Sequence, residues 1–290
     1  MPVRLTQQQK IWLTFKRNKT AMAGLVIGVL IVLMAVFAPW ISPMDPLDQD
    51  AINRLSWGVE GHILGTDDFG RDVLSRIIWG SRVSLMIGGA SVLLGLLVGT
   101  ALGMIAGYYR GKVETVIMRS VDVMMSFPDL ILAIAVTAAM GASLTNLIIT
   151  IGIVMTPRFA RMAYGSVISL KESEYVLAAR AIGARTPRIL FRHIFPNIFG
   201  ELLVAGTLWV GEAIRLEANL AFIGLGVQPP TPTWGNMTRE GIDVLISAPW
   251  ISIFAGLSIL ITILSFNMLG DGIRDITDPK LRGGEGMEQA

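Results

Sequence analysis

The sequence predicts an all-α polytopic membrane protein with six transmembrane helices and both termini in the cytoplasm. Of the 290 residues, 52% are apolar and only 16% are charged, whereas soluble domains carry about 25% charged residues. The apolar residues form runs close to the length of about 20 residues that a helix needs to cross a bilayer. Most of the 24 lysine and arginine residues fall in segments on one predicted side, and this bias predicts which side is cytoplasmic.

Composition and motifs exclude several functional classes. The chain has no cysteine, so it has neither disulfides nor a thiolate metal site, and its two histidines, His62 and His193, are far apart. The P-loop, metalloprotease and nucleophile-elbow patterns are absent from the sequence. The net charge of +2 reflects membrane topology. We therefore predict a non-catalytic protein with no metal or cofactor of its own and no nucleic-acid partner.

The first span is predicted at residues 21–41, after a basic cytoplasmic tail over residues 1–20. Its apolar core is too long for a signal peptide, and no small-residue cleavage site follows, so we interpret it as a retained anchor. An external segment over residues 42–82 comes next. Acidic residues at 65–76 lack calcium-loop spacing and are interrupted by Arg71. We interpret this stretch as a turn leading into an external amphipathic helix.

A core domain over residues 83–270 holds the other five spans, and a cytoplasmic tail over residues 271–290 follows it. Glycines recur every fourth residue from Gly95 to Gly107. This spacing predicts close approach of another helix, because packing must supply the association energy in lipid. The five spans are predicted at residues 83–108, 116–140, 144–161, 202–225 and 251–269.

Charged residues inside the predicted spans are candidates for a substrate pathway. Ionisable groups in a bilayer are costly and normally face a polar cavity or one another. Asp122 and Asp129 are predicted to share one face of the third span with Arg119. Glu212 and Arg215 are neighbours in the fifth span, whereas Glu217 points elsewhere and needs a partner helix or water. Pairing between helices is the alternative role, and both stay open. The pathway candidates are Asp122, Asp129, Glu212, Arg215 and Glu217.

A cytoplasmic loop over residues 158–200 is predicted to bind another protein. Its centre, residues 171–183, favours a helix with acidic residues early and a glycine stop at Gly183. Ala178 and Ala179 give this helix a low-relief surface that suits docking into a groove. We expect both alanines to contact the partner, and we expect Gly183 to adopt a conformation that a β-carbon opposes. The alternative is an ordinary amphipathic helix at the membrane surface.

These segments together resemble the C-type permease subunit of dipeptide/oligopeptide (nickel/peptide) ABC importers. Residues 174–184, Glu-Tyr-Val-Leu-Ala-Ala-Arg-Ala-Ile-Gly-Ala, and residues 191–197 are similar to the "EAA" loop of binding-protein-dependent permeases. The broad consensus has glutamate where this chain has Leu177, and isoleucine and leucine where it has His193 and Phe195. Such departures are familiar in the peptide branch. Further signatures of that branch resemble residues 65–76, 225–235 and 269–281.

The resemblance implies a type I ABC importer permease fold in the cytoplasmic (inner) membrane of a prokaryote. It implies four kinds of contact: a second homologous permease, two cytoplasmic ATPase subunits that bind ATP and Mg, an external or periplasmic substrate-binding protein, and the lipid bilayer. The two permeases are expected to form the pathway for di- or oligopeptides. The residues expected to couple this chain to the ATPases are Glu174, Tyr175, Ala178, Ala179, Arg180 and Gly183.

Other cargoes and another class are compatible with the sequence. Glutathione and nickel complexes are alternative cargoes within the family. An ion-coupled secondary transporter would use Asp122, Asp129 or Glu217 as ion sites. Such transporters often contain inverted repeats with paired broken helices, and the sequence has no recognisable repeat of this kind.

Overall fold

The computed structural model describes residues 15–16 and 18–277, and this part of the chain is helical apart from its connecting segments. Most of the predicted tails, residues 1–20 and 271–290, lies outside it. A π-helical turn, Ile189–Ile194, joins α8 to α9. The helices are α1 (Lys19–Val36), α2 (Ala38–Ile41), α3 (Val73–Tyr109), α4 (Gly111–Met125), α5 (Asp129–Met140), α6 (Leu144–Lys171), α7 (Glu174–Ala181), α8 (Thr186–Arg188), α9 (Phe195–Phe222), α10 (Trp234–Asp243) and α11 (Pro249–Thr277).

Five helical segments are long and apolar enough to cross a membrane. They are α1, α3, α6, the continuous segment Thr186–Phe222 that ends with α9, and α11. Helices α4 and α5 together meet the same criteria, and they bring the number of spans to six when the bent pair is taken as one span. The described residues therefore agree with the predicted all-α class and with a count of six.

The second span begins earlier than predicted. Helix α3 runs without a break from Val73, and the Asp72 side chain caps it by accepting a hydrogen bond from the Ser75 amide. The predicted amphipathic helix before residue 83 is therefore the first part of α3, and its treatment as a separate element is wrong. The sequence between residues 73 and 109 contains no proline, so no residue there removes a backbone donor from the helix.

The third span is broken where a single straight helix was predicted. Helices α4 and α5 meet at an angle of 99° across residues 126–128. Pro128 disfavours helical geometry at the residue before it and is itself extended, with ψ of 135°. Asp122 therefore lies in α4 and Asp129 begins α5, and the prediction that they share one helix face is wrong.

The predicted loop over residues 158–200 is largely helical. Helix α6 continues to Lys171, ten residues beyond the predicted end of the fourth span. Helix α7 follows after a two-residue break, and the segment from Thr186 leads directly into α9. The polar composition of this stretch was misleading because arginine and lysine are good helix formers that can extend beyond the apolar part of a span.

Helices α3 and α6 form the centre of the fold, and the glycine stripe joins them as predicted. A β-carbon on Gly95 would lie 2.8 Å from the Met155 side chain, and one on Gly99 or Gly103 would overlap backbone carbonyl oxygens of α6. The two backbones therefore lie in direct contact along the stripe. Helix α1 packs on α11, where Ser265 donates a hydrogen bond to the Gly24 carbonyl over 2.8 Å.

Candidate functional site

Helix α7 has one face buried in the protein and one face open. Val176 is fully buried and Ala179 is 6% exposed, and their three-residue spacing places them on the same side of the helix. Val176 belongs to the main hydrophobic core, which also contains Ile189 and Ile194 of the π-helical turn. The predicted coupling residues on the open face are Glu174, Tyr175, Ala178 and Arg180. The expectation that Ala179 contacts a partner is wrong, because the helical period turns it inward.

Gly183 ends this segment in the conformation that the sequence predicted. Its φ angle is +82°, in the left-handed region that favours glycine. The Gly183 amide donates to the Arg180 carbonyl and the Ala184 amide donates to the Ala179 carbonyl, each over 3.0 Å. This pair of hydrogen bonds is a Schellman motif. It turns the chain sharply after α7 and leaves Ile182 projecting outward.

Residues 171–183, which contain the predicted coupling residues and are called the coupling segment below, contact the end of α3. The Arg180 guanidinium lies 5.8 Å from the centre of the Tyr108 ring. The Lys171 ammonium lies 5.3 Å from the same ring and also donates a hydrogen bond to the Tyr108 carbonyl. A cation–π contact of Arg180 and the burial of Val176 in the main core therefore connect α7 to the long helices of the bundle.

Apolar side chains on the open side of this region were not among the predicted site residues. Leu177 is 46% exposed, Ile182 is 86% exposed and Phe191 is 69% exposed. Together with Tyr175 at 42%, they give this end of the chain an exposed hydrophobic surface. Leu177 lies outside the inward spacing of Val176 and Ala179, so its exposure follows once the buried face of α7 is known.

Two pathway candidates form ion pairs with α6. Asp122 in α4 pairs with Arg161, and Asp129 at the start of α5 pairs with Arg158. All four side chains are between 29% and 49% exposed. Neither arginine was predicted as a pathway residue, because the fourth span was expected to reach the membrane surface near them. The pairs hold the bent segment α4–α5 against α6.

The predicted pair in α9 is present but is not buried within this chain. Arg215 Nε donates to Glu212 Oε2 over 3.0 Å. The two side chains are 54% and 38% exposed. We call this pair, Asp122–Arg161 and Asp129–Arg158 the open ion pairs. All three lie in or beside predicted spans, so their exposed sides require water or another protein.

Glu217 lies in a different environment. It is fully buried, and neither carboxylate oxygen has a hydrogen-bond partner among the described residues. A β-carbon on Gly235 of α10 would lie 3.2 Å from Glu217 Oε1. The expectation that Glu217 faces a second chain or water is therefore wrong, because α10 of the same chain covers it. The sequence could not place α10, which lies outside the predicted spans.

A second group of charges lies where the segment before α3 meets α10. Arg71 Nε donates to Asp67 over 2.7 Å, and Arg76 Nη1 bonds both Asp67 and Glu240, the latter over 2.8 Å. Asp67 is fully buried and Arg76 is 1% exposed. We call Asp67, Arg71, Arg76 and Glu240 the buried ion cluster. It was not predicted, since a position 164 residues away supplies Glu240.

The buried ion cluster includes Asp67, one of the acidic residues at 65–76 that we compared with a calcium-binding loop. Carboxylate oxygens of Asp67, Asp68 and Glu240 lie close enough together to hold a cation. The guanidinium groups of Arg71 and Arg76, however, already supply positive charge to these acids. Burial, followed by repulsion from Asp67 and Glu240, raises the pKa of Asp68 above its usual value. This geometry favours an arginine-compensated cluster over a cation site.

Two family descriptions match this chain. Residues 99–283 match the binding-protein-dependent transport system inner membrane component. Residues 6–56 match the N-terminal transmembrane domain of oligopeptide transport permease C. The first match alone covers more than half of the chain and includes the whole of α7.

Curated relatives are similar over nearly the full length. The dipeptide transport system permease protein DppC of Alkalihalophilus pseudofirmus is 45% identical, with 92% of this chain and 88% of that protein covered. The di/tripeptide transport system permease protein DppC of Pseudomonas aeruginosa is 42% identical, with coverage of 94% and 92%. The glutathione transport system permease protein GsiD of Pectobacterium atrosepticum is 41% identical, with coverage of 96% and 92%.

Solved structures share the fold at lower sequence identity. An inward-facing MetNI methionine ABC transporter chain superimposes with a TM-score of 0.57 at 19% identity, covering 70% of this chain and 97% of that one. An amino acid ABC transporter determined with histidines gives a TM-score of 0.53 at 14% identity, covering 68% and 92%. The superpositions show that this chain and the solved transporter chains share an arrangement of helices.

Proposed function

This chain belongs to the inner-membrane permease family of binding-protein-dependent transport systems, and we propose that its cargo is a dipeptide or short peptide. It is a permease subunit of an ABC transporter. The peptide assignment is supported by the match to the N-terminal domain of oligopeptide permease C and by relatives named for dipeptide and di/tripeptide transport. ATP hydrolysis belongs to partner subunits, in agreement with the absence of a P-loop from the sequence.

Helix α7 carries the proposal for energy coupling. Its outer face is open, its inner face is part of the main core, and its end is fixed by the Schellman motif at Gly183. A groove on each of two cytoplasmic ATPases would receive such a helix, one from each permease. Closure of the ATPases would then shift the helical bundle between inward- and outward-facing states. This assignment places α7 and both termini on the cytoplasmic side.

The open ion pairs support a second homologous permease as the neighbouring subunit. Six partly exposed charges inside a membrane would be costly against lipid, and they are tolerable beside a water-filled pathway between two subunits. Paired charges of both signs suit passage of a zwitterionic peptide, since neither terminus meets a strong single-sign field. A periplasmic or external binding protein would deliver the cargo to the opposite end from α7, across the inner membrane.

Glutathione is the second cargo candidate. It is itself a small peptide, and the relative named for its transport is 41% identical to this chain. Uptake into vesicles containing the complete importer separates the two, with labelled dipeptide and labelled glutathione each tested against an excess of the other. A dipeptide permease takes up the dipeptide and is little inhibited by glutathione. The reverse result would assign glutathione.

Ala178→Asp tests the coupling assignment. The side chain points outward, so a charge there should leave folding intact and prevent close docking in the groove. We expect recovery of the ATPases with the tagged permease to fall at least about tenfold, equivalent to about 1.4 kcal/mol, and peptide uptake to fall with it. Ala51→Asp is the matched control at an exposed position outside α7. Normal recovery of the ATPases with Ala178→Asp would remove the assignment.

A further inference from the structure

A polar pocket lies at the end of the molecule where α9 leads into α10. Its volume is 640 Å³, within the range of about 300–1,000 Å³ typical of small-molecule sites. Helix α10 is fixed beside it by Trp234, which is fully buried and donates from its indole nitrogen to the Ile77 carbonyl over 3.0 Å. The polar side chains that line the pocket are Gln49, Arg71, Gln228, Asn236, Arg239, Glu240 and Asp243.

Two arginines in this pocket have hydrogen-bonding capacity left over. Arg71 is 4% exposed, and its Nη2 nitrogen has no hydrogen-bond partner among the described residues, although Glu240 and Asp68 oxygens lie at 3.5 and 3.7 Å. The Arg239 guanidinium occupies the space beside Gly224, where a β-carbon would lie 2.6 Å from its Nη1 atom. Within residues 18–277, no hydrogen bond or ion pair joins Arg239 to an acid. Arg239 is exposed, and a guanidinium without an acidic partner suits a carboxylate ligand.

Acidic groups lie on the same pocket wall. Asp243 is exposed, lines the pocket and forms no ion pair with described residues. It follows Arg239 by four residues on α10, which corresponds to about 6 Å along the helix axis. Two residues of extended peptide span at most about 7 Å. The backbone positions of Arg239 and Asp243 are therefore separated along the helix by about the length of a dipeptide main chain.

We propose that this pocket is a receiving site for the main chain of a dipeptide on its way from the binding protein into the pathway. Arg239, assisted by the buried Arg71, donates hydrogen bonds to the terminal carboxylate, and the Asp243 carboxylate accepts hydrogen bonds from the terminal ammonium. Such a site recognises the two termini and leaves the side chains free. The proposal rests on the peptide function above, and it adds a subsite in this chain at the end opposite α7.

The test uses the intact importer without its binding protein, with Ala-Phe as the probe and ligand-observed saturation-transfer NMR as the readout. The wild type should bind Ala-Phe better than its C-terminal amide or its N-acetyl derivative. Arg239→Gln should weaken Ala-Phe binding about tenfold, as expected for loss of a charge-assisted hydrogen bond, and should abolish the preference over the amide. Asp243→Asn should abolish the preference over the N-acetyl derivative. Arg82→Gln, an exposed arginine outside the pocket, should behave as the wild type.

Two results would overturn the proposal. One is no Ala-Phe signal from the wild type, and the other is wild-type binding by Arg239→Gln. If Arg239→Gln binds the probe normally but loses the ATP hydrolysis stimulated by the binding protein, the pocket is identified as a protein-docking surface. Failure of the peptide function is distinguishable, because the complete importer, with Arg82→Gln or the wild-type chain, would then take up no dipeptide at all.

Discussion

The buried ion cluster and the open ion pairs consist of the same types of charged side chain, but the cluster is shielded from solvent and the pairs are exposed. In the cluster, Asp67 and Arg76 are almost completely removed from solvent. In the open pairs, every side chain is at least 29% exposed. Buried charges that lose a partner are costly, whereas exposed pairs contribute little to stability. The comparison indicates that the cluster contributes to the stability of the fold, and it supports the proposal that the open pairs face a pathway between two permeases.

Arg76→Ala should have the largest effect on stability. It leaves Asp67 without one of its two arginines and Glu240 without its short ion pair. Loss of one partner from a buried pair costs about 3–5 kcal/mol. We expect a large fall in the thermal unfolding temperature of the purified complex and in its yield. Arg82→Ala, at an exposed site on the same helix, is the control. A wild-type unfolding temperature for Arg76→Ala would remove the distinction between the two regions.

Asp129→Asn should have a small effect on stability and a larger effect on transport. Asp129 and Arg158 are 39% and 29% exposed, and exposed pairs contribute at most about 1 kcal/mol. We expect a near-normal yield of complex and reduced peptide uptake per complex. Both quantities are measured on the same vesicle preparation. Equal losses of yield and uptake would place this pair with the buried ion cluster as a structural element.

Glu217→Gln should have the smallest effect of the three. Its carboxylate is buried without hydrogen-bond partners among the described residues, so the isosteric amide fits the same space and carries no charge to desolvate. We expect the yield and the uptake per complex to stay close to wild type. Reduced uptake at normal yield would mean that the ionisable group itself takes part in transport. Glu217 would then resemble neither the buried ion cluster nor the open ion pairs.

The sequence predicted the local features of this protein better than its distant pairings. The all-α class, the Gly95–Gly107 stripe and the conformation of Gly183 depend on residues close together in the chain, and the structure agrees with each, although several spans begin or end elsewhere than predicted. The bend at Pro128 was missed because apolar length alone does not reveal a change of direction. Pro128 is the signal in the sequence for a break there, because a proline disfavours helical geometry at the residue before it.

The remaining wrong predictions at the candidate site concern contacts between residues that are far apart in the chain. The inward position of Ala179 follows from helical spacing once the position of Val176 is known, but the sequence does not state which face the core occupies. The partners of Asp129 and Glu240 are 29 and 164 residues away. Periodicity cannot identify such pairs, since the relevant separation is set by how the helices pack and not by the spacing within one helix.

The glycine stripe has a mechanical consequence. The backbones of α3 and α6 touch along it, so sliding one helix along the other would produce steric overlap. We therefore expect the two helices to move together. The coupling segment is attached to the same end of both, to α6 by chain continuity and to α3 through Tyr108. In the proposed coupling, a push on α7 would therefore move the pair as a unit. The hinges must lie at other helix contacts, and the bent segment α4–α5, which reaches α6 through the open ion pairs, is placed to be one of them.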